Sequence, residues 1–333
     1  MTTGRRTTAA TLGRNPVQHI EPNILRRHDL ESLAAVERAF HTGPLSRAVG
    51  DAPQLERRSG LTAEEFRREY REPQRPVVLE GHAADWPAVQ TWSFDHLADR
   101  VGDVRVVVDS YNTKAAREAT VAEFVAMLKD NRHQGATPIY LQEWYYQTTA
   151  PELAPDMPEM EIARYDFRRD LYGEDASTNH QLWLGQQGGV TRLHQDSYSV
   201  DVMHAQIVGD KLWYVMGPDA VLREDTEADW TRLVETPETQ LMQFVLKPGD
   251  VLYLPANWYH RIQLLSDSIG LGRKCLDEVN LQAHIRQRMT ELLALALNPD
   301  EVKRTHPELF DVVLMRSRAW AKRMDIDLSR LRP

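Results

Sequence analysis

The tightest constraint on how this chain can fold comes from two short motifs that lie far apart in sequence yet make sense only together. The first is the stretch Gly188 to Lys211, GGVTRLHQDSYSVDVMHAQIVGDK, in which His194 and Asp196 are separated by one residue. In an extended strand alternate side chains face the same way, so this imidazole and this carboxylate can point at one spot. The second is Leu246 to Ile262, LKPGDVLYLPANWYHRI, which carries His260. H-x-D alone arises often by chance. H-x-D followed downstream by P-G-D-x-L-Y-L-P-x-x-W-x-H is a much narrower pattern. Bringing the two together requires a strand-rich fold whose halves deliver distant residues to one mouth.

The strands such a fold needs are present in the pattern. Gln181–Gly185, Ala205–Val208, Leu212–Val215, Gln243–Leu246, Val251–Leu254, Ile262–Leu265 and Ser268–Leu271 are short apolar or alternating runs bounded by turn residues. Gly209-Asp210 reads as a hairpin turn between two of them, and Pro248-Gly249-Asp250 as a turn between two more. Two imidazoles and one carboxylate form a facial ligand set that suits iron(II) and leaves positions open for other ligands.

These motifs resemble the JmjC-type, cupin-like (cupin 8) 2-oxoglutarate oxygenases, a family that includes the asparaginyl hydroxylase of hypoxia-inducible factor. The order of a helix, then RPVVLEG, then a Trp-Pro segment (Asp85-Trp86-Pro87) also matches that family. The resemblance implies an α+β protein with a double-stranded β-helix (cupin or jelly-roll) core and helices at both ends. It implies Fe(II) held by His194, Asp196 and His260, with 2-oxoglutarate as co-substrate and dioxygen as oxidant. It further implies oxidative decarboxylation to succinate and carbon dioxide, coupled to hydroxylation of an unactivated C–H bond. By family register, Lys211 after AQIVGD would meet the distal carboxylate of 2-oxoglutarate, helped by Thr191 and Tyr140. Trp183, Tyr198 and Trp258 are candidates for the substrate mouth. Arg273 is a candidate anion binder or substrate contact.

The chain also departs from the family pattern. Val202 stands about where an asparagine is usual, and Gly272, Arg273 and Lys274 replace another late in the barrel. Two other readings keep the fold: a metal cupin that does not use 2-oxoglutarate, and an inactive binding protein. His204 and His180 read as packed or hydrogen-bonded residues and not as ligands.

Around this centre the chain divides into a tail over 1–20 expected to lack fixed structure, a helical and strand region over 21–135 packed on the barrel, the catalytic barrel over 136–279, and a helical region over 280–333. Helices are expected over 22–42, over 63–70 with Thr62 and Glu65 as a capping box, over 94–101, over 121–128 with Thr120 as N-cap, from Asn280, and over 307–324. Residues 143–178, rich in Pro, acids and aromatics, form a long irregular connection with two open readings: a cover over the pocket, or a surface excursion with no role in the site. The apolar residues Leu292, Leu293, Leu295 and Leu297 suggest a homodimer through the C-terminal helices.

With a net charge of −9 and a pI near 5.8, broad binding to nucleic acid is not expected. The single cysteine, Cys275, excludes a disulfide framework and a thiolate metal site and fits a reducing, cytoplasmic setting. No run of apolar residues is long enough to predict a membrane helix, and the stretch MTTGRRTTAATLGRNPVQHI, without an apolar core, does not read as a secretory signal. The resemblance leaves open an amino acid, a peptide, a protein side chain or a small natural product as substrate.

Overall fold

The computed structural model describes residues 52–108, 117–134, 138–163, 166–168, 180–218, 241–297 and 304. The expected tail over 1–20, the helices over 22–42 and 307–324, and the side chains of Leu292, Leu293, Leu295 and Leu297 lie outside the described residues.

The strands are β1 (Arg57–Arg58), β2 (Val77–Leu79), β3 (Arg105–Val108), β4 (Arg117–Thr120), β5 (Tyr140–Trp144), β6 (His180–Gly185) and β7 (Val190–Gln195). They continue with β8 (Asp201–Val208), β9 (Lys211–Met216), β10 (Met242–Leu246), β11 (Val251–Leu254), β12 (Tyr259–Leu264) and β13 (Ser268–Cys275). One sheet runs β1-β2-β11-β8-β13-β6-β5, a second runs β10-β9-β12-β7, and β3 pairs with β4 apart from both. From β6 onward the chain steps back and forth between the two large sheets, which is the path of a double-stranded β-helix. The N-terminal strands β1 and β2 extend the larger sheet through pairing of β2 with β11.

This path corrects one expectation. Gly209-Asp210 has hairpin residues, but β8 and β9 do not pair: β8 bonds to β11 and β13, and β9 to β10 and β12. The turn is a corner between sheets. Gly209 has φ of +70°, and a Cβ there would come within 2.1 Å of the Asp267 carbonyl oxygen, so only glycine fits this corner. The Pro248-Gly249-Asp250 turn likewise passes from β10 in one sheet to β11 in the other.

Alternation along the strands sorts side chains into two apolar clusters. One fills the space between the sheets, with Tyr140, Trp213, Val215, Phe244, Leu252 and Ile262 among its members. The other lies on the outer face of the larger sheet, where Leu184, Met203 and Leu271 meet the helices. Those helices are α1 (Ala63–Phe66), α2 (Pro87–Thr91), α3 (Phe94–Val101), α4 (Val121–Gln134), α5 (Tyr146–Thr149) and α6 (Leu281–Leu297). At α1 the Thr62 hydroxyl accepts from the Glu65 N–H, and the Glu65 carboxylate accepts from the Thr62 N–H. Thr120 and Glu123 repeat this box at α4, so two strands of sequence logic at once fix two helix starts. Of the two readings of the irregular segment, its described part fits the excursion away from the pocket. Tyr146, Leu153, Met157 and Met160 bury into the outer cluster.

A buried ionic knot ties the ends of the barrel domain together. Arg71, just after α1, bonds Asp201 of β8 at 2.5 Å and Asp277 beyond β13 through Nε at 2.9 Å. Asp201 also accepts from the Tyr253 hydroxyl at 2.8 Å, the Ala256 N–H at 2.9 Å and Asn280 at 3.1 Å. Its remaining lone pairs are thus satisfied, the condition under which a buried charge is tolerated.

Candidate metal and co-substrate site

His194 near the end of β7 and His260 in β12 are direct partners across the two strands. Their rings lie 4.1 Å apart, centroid to centroid. Asp196 follows the last residue of β7 in extended conformation, which keeps its side chain on the His194 face. His194 Nε2 and Asp196 Oδ1 are 3.6 Å apart, too long for a good hydrogen bond but suited to two ligands of one ion. Donor atoms of all three residues lie within 4.8 Å of one another.

The proton positions fit that use. His260 Nδ1 is 3.1 Å from the Trp258 carbonyl oxygen. A carbonyl can only accept, so Nδ1 carries the hydrogen and Nε2 keeps its lone pair. Burial, then the neighbouring His194, pushes the His260 imidazolium down to about 4, so the ring is neutral at physiological pH. Burial works against ionisation of Asp196, but Lys274 and the two imidazoles outweigh it and hold the carboxyl well below its usual range. The His260 ring, neutral and with its Nε2 lone pair free, beside an ionised carboxylate suits the donor set of an iron(II) site.

The turn that carries Asp196 is braced from outside the barrel. Tyr198 and Ser199 adopt positive φ, of 72° and 47°, a conformation held only when the surroundings fix it. Here α6 does so: His284 Nδ1 donates to the Tyr198 carbonyl at 2.6 Å, and the Arg288 guanidinium lies 4.1 Å from the Tyr198 ring centroid. Tyr198, a candidate for the substrate mouth, is therefore turned toward α6, where it packs with Val200 and Leu276.

Deeper in the same barrel sits Lys211. It has no solvent exposure, and burial pushes its ammonium down to about 7. Its Nζ is 3.3 Å from His204 Nε2. Burial, followed by the Lys211 charge, holds His204 well below its ordinary value, so a neutral His204 accepts from Lys211. The contact depends on Gly270, since a Cβ there would lie 2.5 Å from His204 Nε2 and 2.9 Å from Lys211 Nζ.

Thr191 reaches the same interior by an irregularity. It lies three residues from His194, which in a regular strand would put the two on opposite faces. The ladder slips between His260 and Ile262, so His260 faces His194 while Ile262 faces Thr191. Since His260 and Ile262 share a face, this bulge restores Thr191 to the side of His194. Its Oγ1 is buried without a hydrogen-bond partner among the described residues. Tyr140 is buried in the same interior, edge-on to Trp183 with ring centroids 6.1 Å apart. Gly185 makes room for it, because a Cβ there would lie 2.6 Å from the Tyr140 ring. Trp183 and Trp258 both pack against the interior cluster.

Arg273 is not brought to this group. On β13, Gly270, Gly272 and Lys274 share the interior parity, and Arg273 takes the other. It bonds Glu159 and stands opposite His180 and Met203 on the outer face. His180 is likewise an outer-face residue, pushed down to about 4 by burial and then by Arg273. The role of His204 beside Lys211 was not legible from its isolated place in the sequence. Strand parity from Gly270 would have selected Lys274 over Arg273.

A β-helix barrel with two histidines and an aspartate gathered at one end, and a buried lysine deeper inside, defines the architecture of a metal-dependent cupin. Residues 62–280 match the model of the cupin-like domain family (Cupin_8), and the chain belongs to that family. It is 26% identical over 254 residues to the arginine-specific demethylase JMJ22 of Arabidopsis thaliana, covering 67% of this chain and 46% of that protein. It is 29% identical over 240 residues to the lysine-specific demethylase JMJ30 of the same organism, covering 66% of this chain and 54% of that protein. It is 21% identical over 267 residues to the 2-oxoglutarate and iron-dependent oxygenase JMJD4 of Gallus gallus, covering 70% of this chain and 62% of that protein. The chain thus spans less than two thirds of the length of each of these relatives. No helix among the described residues is long and apolar enough to cross a membrane.

Proposed function

We propose that this chain is an Fe(II)- and 2-oxoglutarate-dependent dioxygenase that hydroxylates an unactivated C–H bond. The observation that carries this reading is the pairing, in one barrel interior, of the His194, Asp196 and His260 donors with the buried Lys211 ammonium. An ammonium with no exposure is costly unless an anion meets it. A 2-oxo dicarboxylate has one end suited to an iron ion and a second end suited to this cation. Iron(II) with dioxygen would supply the oxidising chemistry, converting 2-oxoglutarate and R–H to succinate, carbon dioxide and R–OH. The protein's part is to hold the donors neutral or ionised as needed, fix their geometry and keep the site dry.

In this reading His194, Asp196 and His260 bind the metal, and Lys211, Thr191 and Tyr140 bind the distal carboxylate. Trp183 and Trp258 line the approach. The catalytic barrel covers 136–279, with β1 and β2 completing its larger sheet. Candidate substrates are an amino acid, a peptide, a protein side chain or a small natural product. The names of the demethylase relatives favour including protein side chains. A homodimer through the C-terminal helices and a cytoplasmic setting complete the proposal; light scattering at micromolar concentration tests the first, a monomeric mass counting against it.

The direct test is succinate formation from 2-oxoglutarate by the purified chain with iron(II), with and without candidate substrates. Turnover that requires iron(II) and disappears in His260→Ala, with the fold retained by circular dichroism, supports the reading. Turnover unchanged in that variant removes the triad.

A further inference from the structure

Lys274 is a second cation on the interior face of the barrel, and no step above uses it. It lies on β13 directly opposite Val202 of β8, one of the positions where this chain departs from the asparagines of the family it resembles. Its Nζ is buried without a hydrogen-bond partner among the described residues. Val202 stands at the start of β8, just beyond the turn that carries Asp196, so Lys274 opposite it stands at the metal end of the interior. The parity of β13 fixes its direction: Gly270, Gly272 and Lys274 face one side, and at Gly270 that side is the Lys211 and His204 side.

The two glycines let interior side chains press onto β13 between the lysines. A Cβ at Gly272 would come within 3.3 Å of Trp183 Nε1, and one at Gly270 would strike His204 and Lys211. At about 3.3 Å of rise per residue, the four residues from Gly270 to Lys274 span roughly 13 Å. Lys211 Nζ, beside Gly270, thus marks the deep end of this face of β13 and Lys274 the metal end.

We propose that Lys274 binds the metal-end carboxylate of the 2-oxo acid, so that the co-substrate is gripped by a cation at each end. The inference rests on the oxygenase reading. It makes a distinctive demand on the metal site. Before co-substrate arrives, Lys274 and a divalent ion repel one another across Asp196; once the carboxylate lies between them, both are satisfied. Lys274 therefore weakens metal binding alone and strengthens co-substrate binding to the metal-loaded protein. Val202, with no hydrogen bond to offer, leaves this contact to the lysine.

Calorimetry with redox-inert Mn(II) tests this without turnover. In Lys274→Met, which keeps length and loses charge, 2-oxoglutarate should bind the Mn(II)-loaded protein about ten- to a hundredfold more weakly. Mn(II) alone should bind that variant more tightly than the wild type. Lys274→Arg, which keeps the charge, should retain 2-oxoglutarate affinity within about tenfold of wild type. Unchanged 2-oxoglutarate affinity in Lys274→Met overturns the inference and leaves Lys274 to an anionic group of the substrate. Equal losses in the Met and Arg variants also overturn it, since packing and not charge would then be the cause. If the Mn(II)-loaded wild type takes up no 2-oxoglutarate, the oxygenase reading falls and this inference with it.

Discussion

Replacing Lys211 with alanine should separate co-substrate binding from metal binding. Lys211 has no solvent exposure, and its nearest polar neighbour is the neutral His204 at 3.3 Å. Removing one partner of a buried ion pair costs about 3–5 kcal/mol. At about 1.4 kcal/mol per factor of ten, 2-oxoglutarate should bind roughly a hundredfold to several thousandfold more weakly. Mn(II) affinity should hold, because no ligand has changed. The pH dependence gives a second signature. Burial lowers the free ammonium from its ordinary 10.5 to about 7, and the bound carboxylate restores its charge. Binding above that pH therefore takes up a proton, and wild-type affinity should fall about tenfold per pH unit as pH rises beyond 7. Titrating 2-oxoglutarate into the Mn(II)-loaded proteins from about pH 6.5 to about pH 8.5 reads both effects, with the steep slope present in the wild type and lost in Lys211→Ala. The reasoning fails if the variant keeps wild-type affinity, or if the wild type shows no slope that the variant lacks.

Three further outcomes follow from the packing. For the ligand-free chain, Lys211 binds its proton more weakly folded than unfolded, so its contribution to stability is least below pH 7 and grows as pH rises from about 7 toward 10.5; Lys211→Met should melt at a higher temperature than wild type at neutral pH, and should lose that growth, both readable by calorimetric scans. Gly270→Ala should cost about 1–3 kcal/mol in urea unfolding and weaken 2-oxoglutarate binding, because its methyl group meets His204 and Lys211; wild-type co-substrate affinity in that variant would refute the close approach. Arg71→Ala leaves the Asp201 and Asp277 carboxylates buried without their cation, and a loss of about 3–5 kcal/mol by urea unfolding is expected, against less than about 0.5 kcal/mol for exposed Arg105→Ala.

How much of this was visible in the chain depends on the range over which each residue's position is fixed. The H-x-D and P-G-D-x-L-Y-L-P-x-x-W-x-H motifs act locally, so the strands carrying His194 and His260 could be drawn from the sequence, and the family's register then paired them. The starts of α1 and α4 were equally local, written in Thr62 with Glu65 and in Thr120 with its helix. What failed was set by partners far along the chain. Gly209 supplies a left-handed turn whether it closes a hairpin or a corner, and the choice lies with Asp267 and the strands beyond. Thr191 has the wrong parity for the His194 face, and only the slip opposite Arg261 corrects it. The candidacy of Arg273 ignored the alternation that gives the interior to its neighbour Lys274. Nothing near Asp201 in sequence announces that it will close an ionic knot with Arg71.

Unpartnered buried polar atoms do not by themselves mark a site, and the barrel shows why. Tyr146 and His180 also carry such atoms, but they lie on the outer face of the larger sheet, His180 beside an arginine already paired with Glu159. The interior differs in the sign and direction of what is left over. Lys211 and Lys274 are cations, the Thr191 hydroxyl can donate, and all three occupy strand positions facing the same space as the His194, Asp196 and His260 donors. Two like charges in one apolar interior oppose folding. A packing accident would not repeat that cost twice along β13, where Gly270 and Gly272, the residues with least to contribute to a strand, let His204, Lys211 and Trp183 approach the backbone. A dicarboxylate reverses the sign of the cost, turning two repelling cations into two ion pairs. If the lysines repel one another, removing the first relieves the second, so the double variant Lys211→Met with Lys274→Met should gain less stability than the sum of the two single gains. Thermal melts of the four ligand-free proteins measure this directly, and strictly additive gains would mean that the two cations do not share one space.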